Sequence, residues 1–177
     1  MPNTYTLISS TTVGSGGAAN IEFTSIPSTY TDLLVKVSVR MTGTYDLFWI
    51  RFNSVTTDLS GKSVQGDGSS VASYTVEPYG RGQSNSTTSN TFSSTDFYVP
   101  NYAGSNYKSI STDSVSENNA TQAYAALGAG LWSSTSAITS IQIVPNGSDT
   151  FVQYSSAYLY GISNSRRKNA NETNNQL

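Results

Sequence analysis

Alternation of apolar and polar residues with a period of two is the clearest pattern in this chain. Between residues 33 and 41 every odd position is apolar, while positions 36, 38 and 40 are Lys, Ser and Arg. Residues two apart share one face of a strand, so this stretch predicts a strand with one face in the core and one in water. The same period predicts strands at 139–144 and at 20–24, with Ile21 and Phe23 facing inward.

Further strands are predicted where β-branched and aromatic residues lie between turn residues. They cover residues 5–13, 47–52, 70–79, 96–99 and 151–162. The 47–52 strand is apolar on nearly both faces, which places it centrally in a sheet.

A hairpin is predicted where residues 107–117 and 121–132 flank Asn118 and Asn119. Its second arm is rich in Ala and Gly, so we expect a neighbouring sheet or subunit to approach it closely. Residues 53–69 are expected to be mostly loop, with a Gly-Asp-Gly turn at 66–68 that is too short of ligands for a calcium site. Residues 80–94 are expected to be an exposed polar loop without a core role.

These segments give about eight to ten strands and no convincing helix. We therefore predict an all-β fold, an antiparallel two-sheet β-sandwich of the jelly-roll type, with a closed barrel as the alternative. Residues 1–162 are expected to form a single domain. Residues 163–177 are expected to be a polar C-terminal tail, because apolar residues become rare there.

Charge and composition narrow the range of partners. The net charge is −2, and three of the nine basic residues are Arg166, Arg167 and Lys168 in the tail. The body lacks the basic cluster that nucleic acid requires, and no apolar run approaches the roughly 20 residues that span a bilayer. Cysteine is absent and the first residues lack a secretory-signal pattern, so synthesis in a cytoplasm is expected.

The sequence offers little catalytic chemistry. Histidine is absent, which excludes the Ser-His-Asp and Cys-His arrangements and removes the commonest transition-metal ligand. Asp113 and Glu117 share a strand face but would lie roughly 13 Å apart along it, too far for the carboxylate pair of a glycosidase. No catalytic residue, metal ligand or cofactor is therefore predicted.

Tyrosine is the one suggestive residue type, with 12 in the chain. Its ring is amphipathic and suits both protein interfaces and stacking on sugars. Tyr79 and Tyr102 lie near predicted loops and are the candidate glycan contacts. The alternative is that aromatic residues, Trp132 and Tyr158 among them, fill the core.

Five segments in order carry a resemblance: YTLISSTTVGSGGAANIEFTSIP at 5–27, DLLVKVSVR at 32–40, FWIRFN at 48–53, the block from VPNYAGSNYK to SIQI at 99–143, and FVQYSSAYLYGI at 151–162. Together they resemble small structural proteins of tailed-bacteriophage particles. The resemblance implies a β-sandwich or jelly-roll virion protein, expected to be a homotrimer. It would serve as a capsid decoration (cement) protein that binds the major capsid protein on the outer surface of the head, or as a related particle-surface or tail protein. It implies no catalytic residues.

Two other functions stay open from the sequence. The chain is alternatively a tail, fibre or baseplate component that binds a host surface glycan through Tyr79 and Tyr102, or a carbohydrate-binding module of an enzyme. The tail residues Arg166, Arg167 and Lys168 are predicted to contact an acidic patch of a partner, on charge alone, against the alternative of a solvated tail.

Overall fold

The computed structural model describes residues 4–118 and 122–163. This part of the chain is all-β, with no helix and hence none long and apolar enough to cross a membrane. Its twelve strands are β1 (Tyr5–Thr12), β2 (Ile21–Phe23), β3 (Asp32–Ser38), β4 (Leu47–Phe52), β5 (Leu59–Gly66), β6 (Val71–Thr75), β7 (Tyr79–Arg81), β8 (Ser94–Pro100), β9 (Lys108–Asn118), β10 (Gln122–Trp132), β11 (Ile141–Pro145) and β12 (Ser156–Ile162).

The strands form two antiparallel sheets. The large sheet has eight strands in the order β1-β12-β3-β8-β9-β10-β5-β6, and the small sheet has four in the order β2-β11-β4-β7. Buried side chains of both sheets make one apolar cluster; for example, Phe48 of β4 meets Phe97 of β8 edge to face, with ring centres 6.0 Å apart. The predicted two-sheet antiparallel β-sandwich is confirmed, but the described residues form twelve strands where eight to ten were predicted.

Two hairpins extend the large sheet beyond β8. One is β9–β10, and the other is β5–β6, which pairs with the far side of β10. We call these four strands the extension. The other eight strands lie in two groups of four, β1-β12-β3-β8 and β2-β11-β4-β7, and their buried residues supply most of the core.

Strand predictions are confirmed where the hydrophobic period is strongest. All five odd positions from 33 to 41 are buried, and so are Ile21 and Phe23 of β2. The apolar strand β4 lies inside the small sheet, between β11 and β7. The predicted hairpin is present as β9 and β10, and its turn lies outside the described residues.

Three local predictions were wrong. Residues 53–69 contain strand β5, whose sequence LSGKSVQG has little apolar alternation but is hydrogen-bonded on both sides, by β10 and β6. Residues 80–94 are not a wholly exposed loop, because 80–84 are buried and Arg81 belongs to β7. The last strand begins at Ser156, because the chain turns at Tyr154, where φ is 71°.

The Gly-Asp-Gly turn prediction is supported at the β5–β6 connection. The Asp67 carboxylate accepts hydrogen bonds from the backbone N–H groups of Ser69 and Ser70, at 2.8 and 2.7 Å, and Gly68 takes a φ of 88°. These backbone hydrogen bonds favour the charged carboxylate and lower the pKa of Asp67 below its usual value.

The lowered pKa of Asp67 makes the order of this turn depend on pH. The turn is supported above the unfolded-state pKa of about 3.9, and that support is lost as the pH falls through the lower folded-state pKa. We expect a carboxyl titration followed by NMR to place the midpoint of Asp67 below that of an Asp in an unstructured reference peptide. A midpoint at the reference value would contradict the hydrogen-bonded turn.

Candidate assembly surface

The outward face of the extension carries a cluster of aliphatic side chains, with polar residues such as Lys62, Ser73 and Ser111 beside it. Register pairing sets Leu127 of β10 beside Val64 of β5, and Ala125 of β10 lies between Gly66 of β5 and Val115 of β9. We call this surface the aliphatic face; it consists of Val64, Val71, Val115, Leu127 and Leu131, with Ala125 and Ala129 between them. Leu127 is 64% exposed and Val71 77% exposed.

Exposed aliphatic residues are concentrated on this one face. Among the described residues, six large aliphatic side chains are exposed, and the face holds all of them except Leu7. An open groove of about 590 Å³ runs over β6, β5 and β10 between Tyr74, Val64 and Leu127. Soluble monomers seldom expose such a contiguous apolar patch, which usually marks an interaction site.

The strands of the extension reverse the usual inside-outside pattern. On β5, Ser63 is buried and the adjacent Val64 is exposed. On β9, Ser114 is buried and the adjacent Val115 is exposed. A sheet face normally turns its apolar residues to the core and its hydroxyl residues to water. At these positions the extension does the opposite, although Ile110 and Trp132 of the same hairpin lie in the core, so the outward residues Val64 and Val115 are suited to contact with another protein surface.

The buried hydroxyls hold strand β7, which is an edge of the small sheet. The N–H of Arg81 donates to Ser114 Oγ at 2.7 Å, Ser114 Oγ lies 2.6 Å from Thr95 Oγ1, and Thr95 Oγ1 donates to the Arg81 carbonyl at 3.3 Å. The hydroxyl of Tyr79 donates to Ser63 Oγ at 3.1 Å. Two hydroxyl groups therefore satisfy both backbone groups of Arg81, and the inner face of the extension is polar because it covers a strand edge.

The Arg81 side chain fixes the extension to the sandwich body. Its guanidinium is almost fully buried, forms an ion pair with Asp46, and donates to Gln65 Oε1 at 2.5 Å and to Ser116 Oγ at 3.3 Å. It also lies 4.3 Å from the ring centre of Tyr124. These partners come from the loop before β4 and from β5, β9 and β10, so one side chain joins both hairpins to the body.

A neighbouring sheet or subunit was expected to approach the Ala- and Gly-rich strand β10 closely. On the inner side of β10, that close approach is made by other residues of the same chain. A Cβ atom added at Gly130 would collide with the ring of Pro78, and one at Gly128 would lie 3.2 Å from Thr112 Cβ. On the outer side of β10 the described structure places no covering strand, and Leu127 and Leu131 are exposed there.

Lys108 anchors the base of the β9–β10 hairpin. It is 1% exposed, and its ammonium donates to the carbonyls of Gly104 and Ser136 at 2.7 and 2.6 Å. Burial lowers the pKa of Lys108. Trp132 lies beside it, with 5.7 Å between the ammonium and the ring centre. The lysine ties two loops to the hairpin, a role that the polar sequence around it did not indicate.

A row of charged residues extends across the outer surface from the aliphatic face. Asp113 of β9 lies opposite Asp96 of β8, which lies opposite Lys36 of β3. Lys36 Nζ and Asp96 Oδ2 are 2.5 Å apart. We call these three residues the charged row. It begins beside Leu127, so Asp113 is a charged neighbour of the aliphatic face on β9.

The candidate glycan contacts are not available for stacking. Tyr79 is 6% exposed and packs edge to face on Trp49, while Tyr102 is fully buried and donates its hydroxyl to the Pro27 carbonyl. Burial raises the pKa of Tyr102. Their closeness to loops in the sequence did not reveal that both rings point inward. Arg166, Arg167 and Lys168 lie outside the described residues.

The core-aromatic alternative is confirmed for Trp132 and wrong for Tyr158. Trp132 is buried with its ring centre 5.5 Å from that of Phe52, whereas Tyr158 is 39% exposed on the outer face of β12. Strand β12 buries the opposite face, where Ala157 and Leu159 join the core.

The chemistry that the aliphatic face offers is association through apolar contact. Within residues 4–118 and 122–163, no group of three or more acidic residues is placed to hold a metal ion.

No protein-family model matches the chain, and no curated protein is significantly similar to it.

Replacing Arg81 tests the link between the extension and the body. Arg81→Met keeps the apolar stem but leaves Asp46, Gln65 and Ser116 without the guanidinium, so we expect a loss of about 2–3 kcal/mol in the free energy of unfolding. Urea and thermal unfolding measure the change. Lys62→Met, at an exposed position on β5, is the control and should change stability by less than about 0.5 kcal/mol. Equal losses in the two variants would contradict an anchoring role.

Proposed function

We propose that this chain is a structural protein of a bacteriophage particle, a homotrimeric decoration (cement) protein bound to the outer surface of the head. The observation that carries the proposal is the aliphatic face, an exposed set of Val and Leu side chains on strands that turn Ser63 and Ser114 inward. The ordered resemblance of residues 5–162 to small phage structural proteins supports the same function. The proposed partners are further copies of the chain and the major capsid protein, and the proposed location is the virion.

Contact between copies follows from the physics of the aliphatic face. Removing apolar surface from water contributes roughly 25 cal/mol per Å², so each exposed Val or Leu gains on the order of 1–2 kcal/mol when it is covered by a neighbour. Five such residues are exposed on this face, and the small alanines between them allow another sheet to approach closely. We assign this face to contacts between copies of the chain, and a three-fold assembly matches the local three-fold positions of a shell.

Contact with the shell is assigned to the other end of the large sheet. Strand β12 ends at Ile162 beside β1, and four strand spacings separate β12 from β10, about 19 Å at 4.7–4.9 Å per spacing. Arg166, Arg167 and Lys168 follow β12 in the sequence and supply positive charge for an acidic patch of the capsid protein. Self-association and shell binding would then use separate parts of the chain.

The finer fold that we propose is a jelly roll with two inserted hairpins. Without the extension, the sheets are β1-β12-β3-β8 and β2-β11-β4-β7. Successive strands then alternate between the sheets, apart from the step from β4 to β7, and this is the arrangement of two interlocked Greek keys. The extension is inserted after β4 and after β8, so it adds an interface without interrupting the eight-strand body.

Oligomeric state is the first test of the proposed function. Light scattering or sedimentation of the purified chain should give the mass of a trimer, and the double variant Val64→Ser with Leu127→Ser should fall to a monomer. Leu7→Ser is the matched control, because Leu7 and Val64 are each 51% exposed but Leu7 lies on β1, away from the aliphatic face. A monomeric wild-type chain, or dissociation by Leu7→Ser alone, would refute the assignment of the face.

Particle stability is the second test. Heads that carry the protein should survive heating and dilution better than heads that lack it, because many modest interfaces act together. Cryo-electron microscopy should show its density at three-fold or quasi-three-fold positions outside the shell. Equal survival of both kinds of head, or density confined to the phage tail, would count against a decoration protein.

A further inference from the structure

The outer face of the large sheet has a second feature besides the aliphatic face. A groove of about 260 Å³ lies over β8, β3 and β12. Its walls include Tyr158 and Tyr160, the ion pair of Lys36 and Asp96, and the hydroxyl residues Ser38 and Ser94. The groove shares none of the residues of the aliphatic face, so it does not depend on the proposed assembly function.

The period of strand β12 explains why the two tyrosines of the groove lie side by side. Tyr158 and Tyr160 are two residues apart on β12, so they share a face and are separated by roughly 7 Å. Their register partners on β3 are Lys36 and Leu34. Tyrosine rings on a sheet present apolar surface at little cost in conformational entropy, and the C–H groups of a sugar ring stack on such surface.

The ion pair supplies hydrogen-bonding groups of both kinds at one place. Lys36 donates to both oxygens of Asp96, at 2.7 and 2.5 Å, and the two side chains are 49% and 38% exposed. Lys36 is donor-only and Asp96 is acceptor-only, so neighbouring sugar hydroxyl groups, each a donor and an acceptor, match the pair. The two serine hydroxyls add groups of the same mixed kind.

Charge and size narrow the ligand class. Asp113 lies opposite Asp96, and this second carboxylate disfavours phosphate, nucleic acid and acidic sugars. At about 30 Å³ per water molecule, the groove has room for roughly nine waters, about the room of one sugar ring. It is smaller than the usual 300–1,000 Å³ of a site for a drug-sized molecule.

We propose that this groove binds one neutral saccharide unit of a surface glycan, with Tyr158 and Tyr160 as the stacking surface and Lys36 and Asp96 as the hydroxyl-binding pair. A site of this size binds weakly, with a dissociation constant in the millimolar range. Repeated display on a particle raises the apparent affinity by orders of magnitude when several grooves engage one glycan surface.

Saturation-transfer NMR with free neutral sugars tests the proposal. The panel is glucose, galactose, mannose, rhamnose and N-acetylglucosamine, with sialic acid as the charged comparison. We expect transfer to at least one neutral sugar and none to sialic acid. Tyr158→Ala should weaken the binding at least tenfold, and Asp96→Asn, which leaves the tyrosines in place, should weaken it by a similar factor.

Two controls distinguish a specific binding site from non-specific binding. Tyr154→Ala removes a tyrosine that is 68% exposed but lies outside the groove, and it should leave binding unchanged. The Val64→Ser and Leu127→Ser double variant should keep its sugar binding even as a monomer, so loss of assembly does not imitate loss of the groove. No transfer to any neutral sugar, or transfer that survives both Tyr158→Ala and Asp96→Asn, would overturn the proposal.

Discussion

The edge of strand β7, which has no strand partner on one side, is the constraint on which the rest of the structure depends. An edge strand leaves backbone N–H and C=O groups without ladder partners, and burying them unpaired is costly. Here Ser114 and Thr95 of the large sheet bond to the backbone of Arg81, while the Arg81 side chain bonds to Ser116 and Gln65. The small sheet can therefore remain four strands wide while the large sheet extends past it.

That constraint explains why the part of the extension that covers β7 is polar inside and carries aliphatic residues outside. Its inner face must supply hydroxyl groups to a strand edge, so the alternation of β9 and β5 places serine inward. The opposite positions then carry Val64 and Val115, which would be ordinary core residues in a strand of the sandwich body. A chain whose function needed only a stable sandwich would gain nothing from exposing these residues, and this is why the aliphatic face points to a partner.

The sequence predicted the body better than the extension. Strong alternation fixes the strand around Val35, because only one assignment buries all its apolar residues. The strand around Ile50 is indicated by its apolar residues on nearly both faces, which place it inside a sheet. In β9 a period of two is present, but the pattern cannot say that Ser114 rather than Val115 points inward, since that depends on the β7 edge above it. Strand β5 was missed because LSGKSVQG has no apolar stripe of its own. It is held in the sheet by backbone pairing with β10 and β6. The burial of Tyr79 and Tyr102 likewise depends on tertiary contacts that closeness to a loop does not encode.

The outer face of the large sheet is thus divided by chemistry along its width. Leu127 and Tyr158 lie in one cross-strand row, with Asp113, Asp96 and Lys36 between them. Four strand spacings separate the two ends of this row, about 19 Å. A neighbour that covers Leu127 would meet the charged row before it reached Tyr158, and burying Asp113 without a partner would be costly. Along this row, Asp113 therefore limits how far an apolar contact extends across the sheet. The groove beside Tyr158 and Tyr160 then stays open when the aliphatic face is occupied.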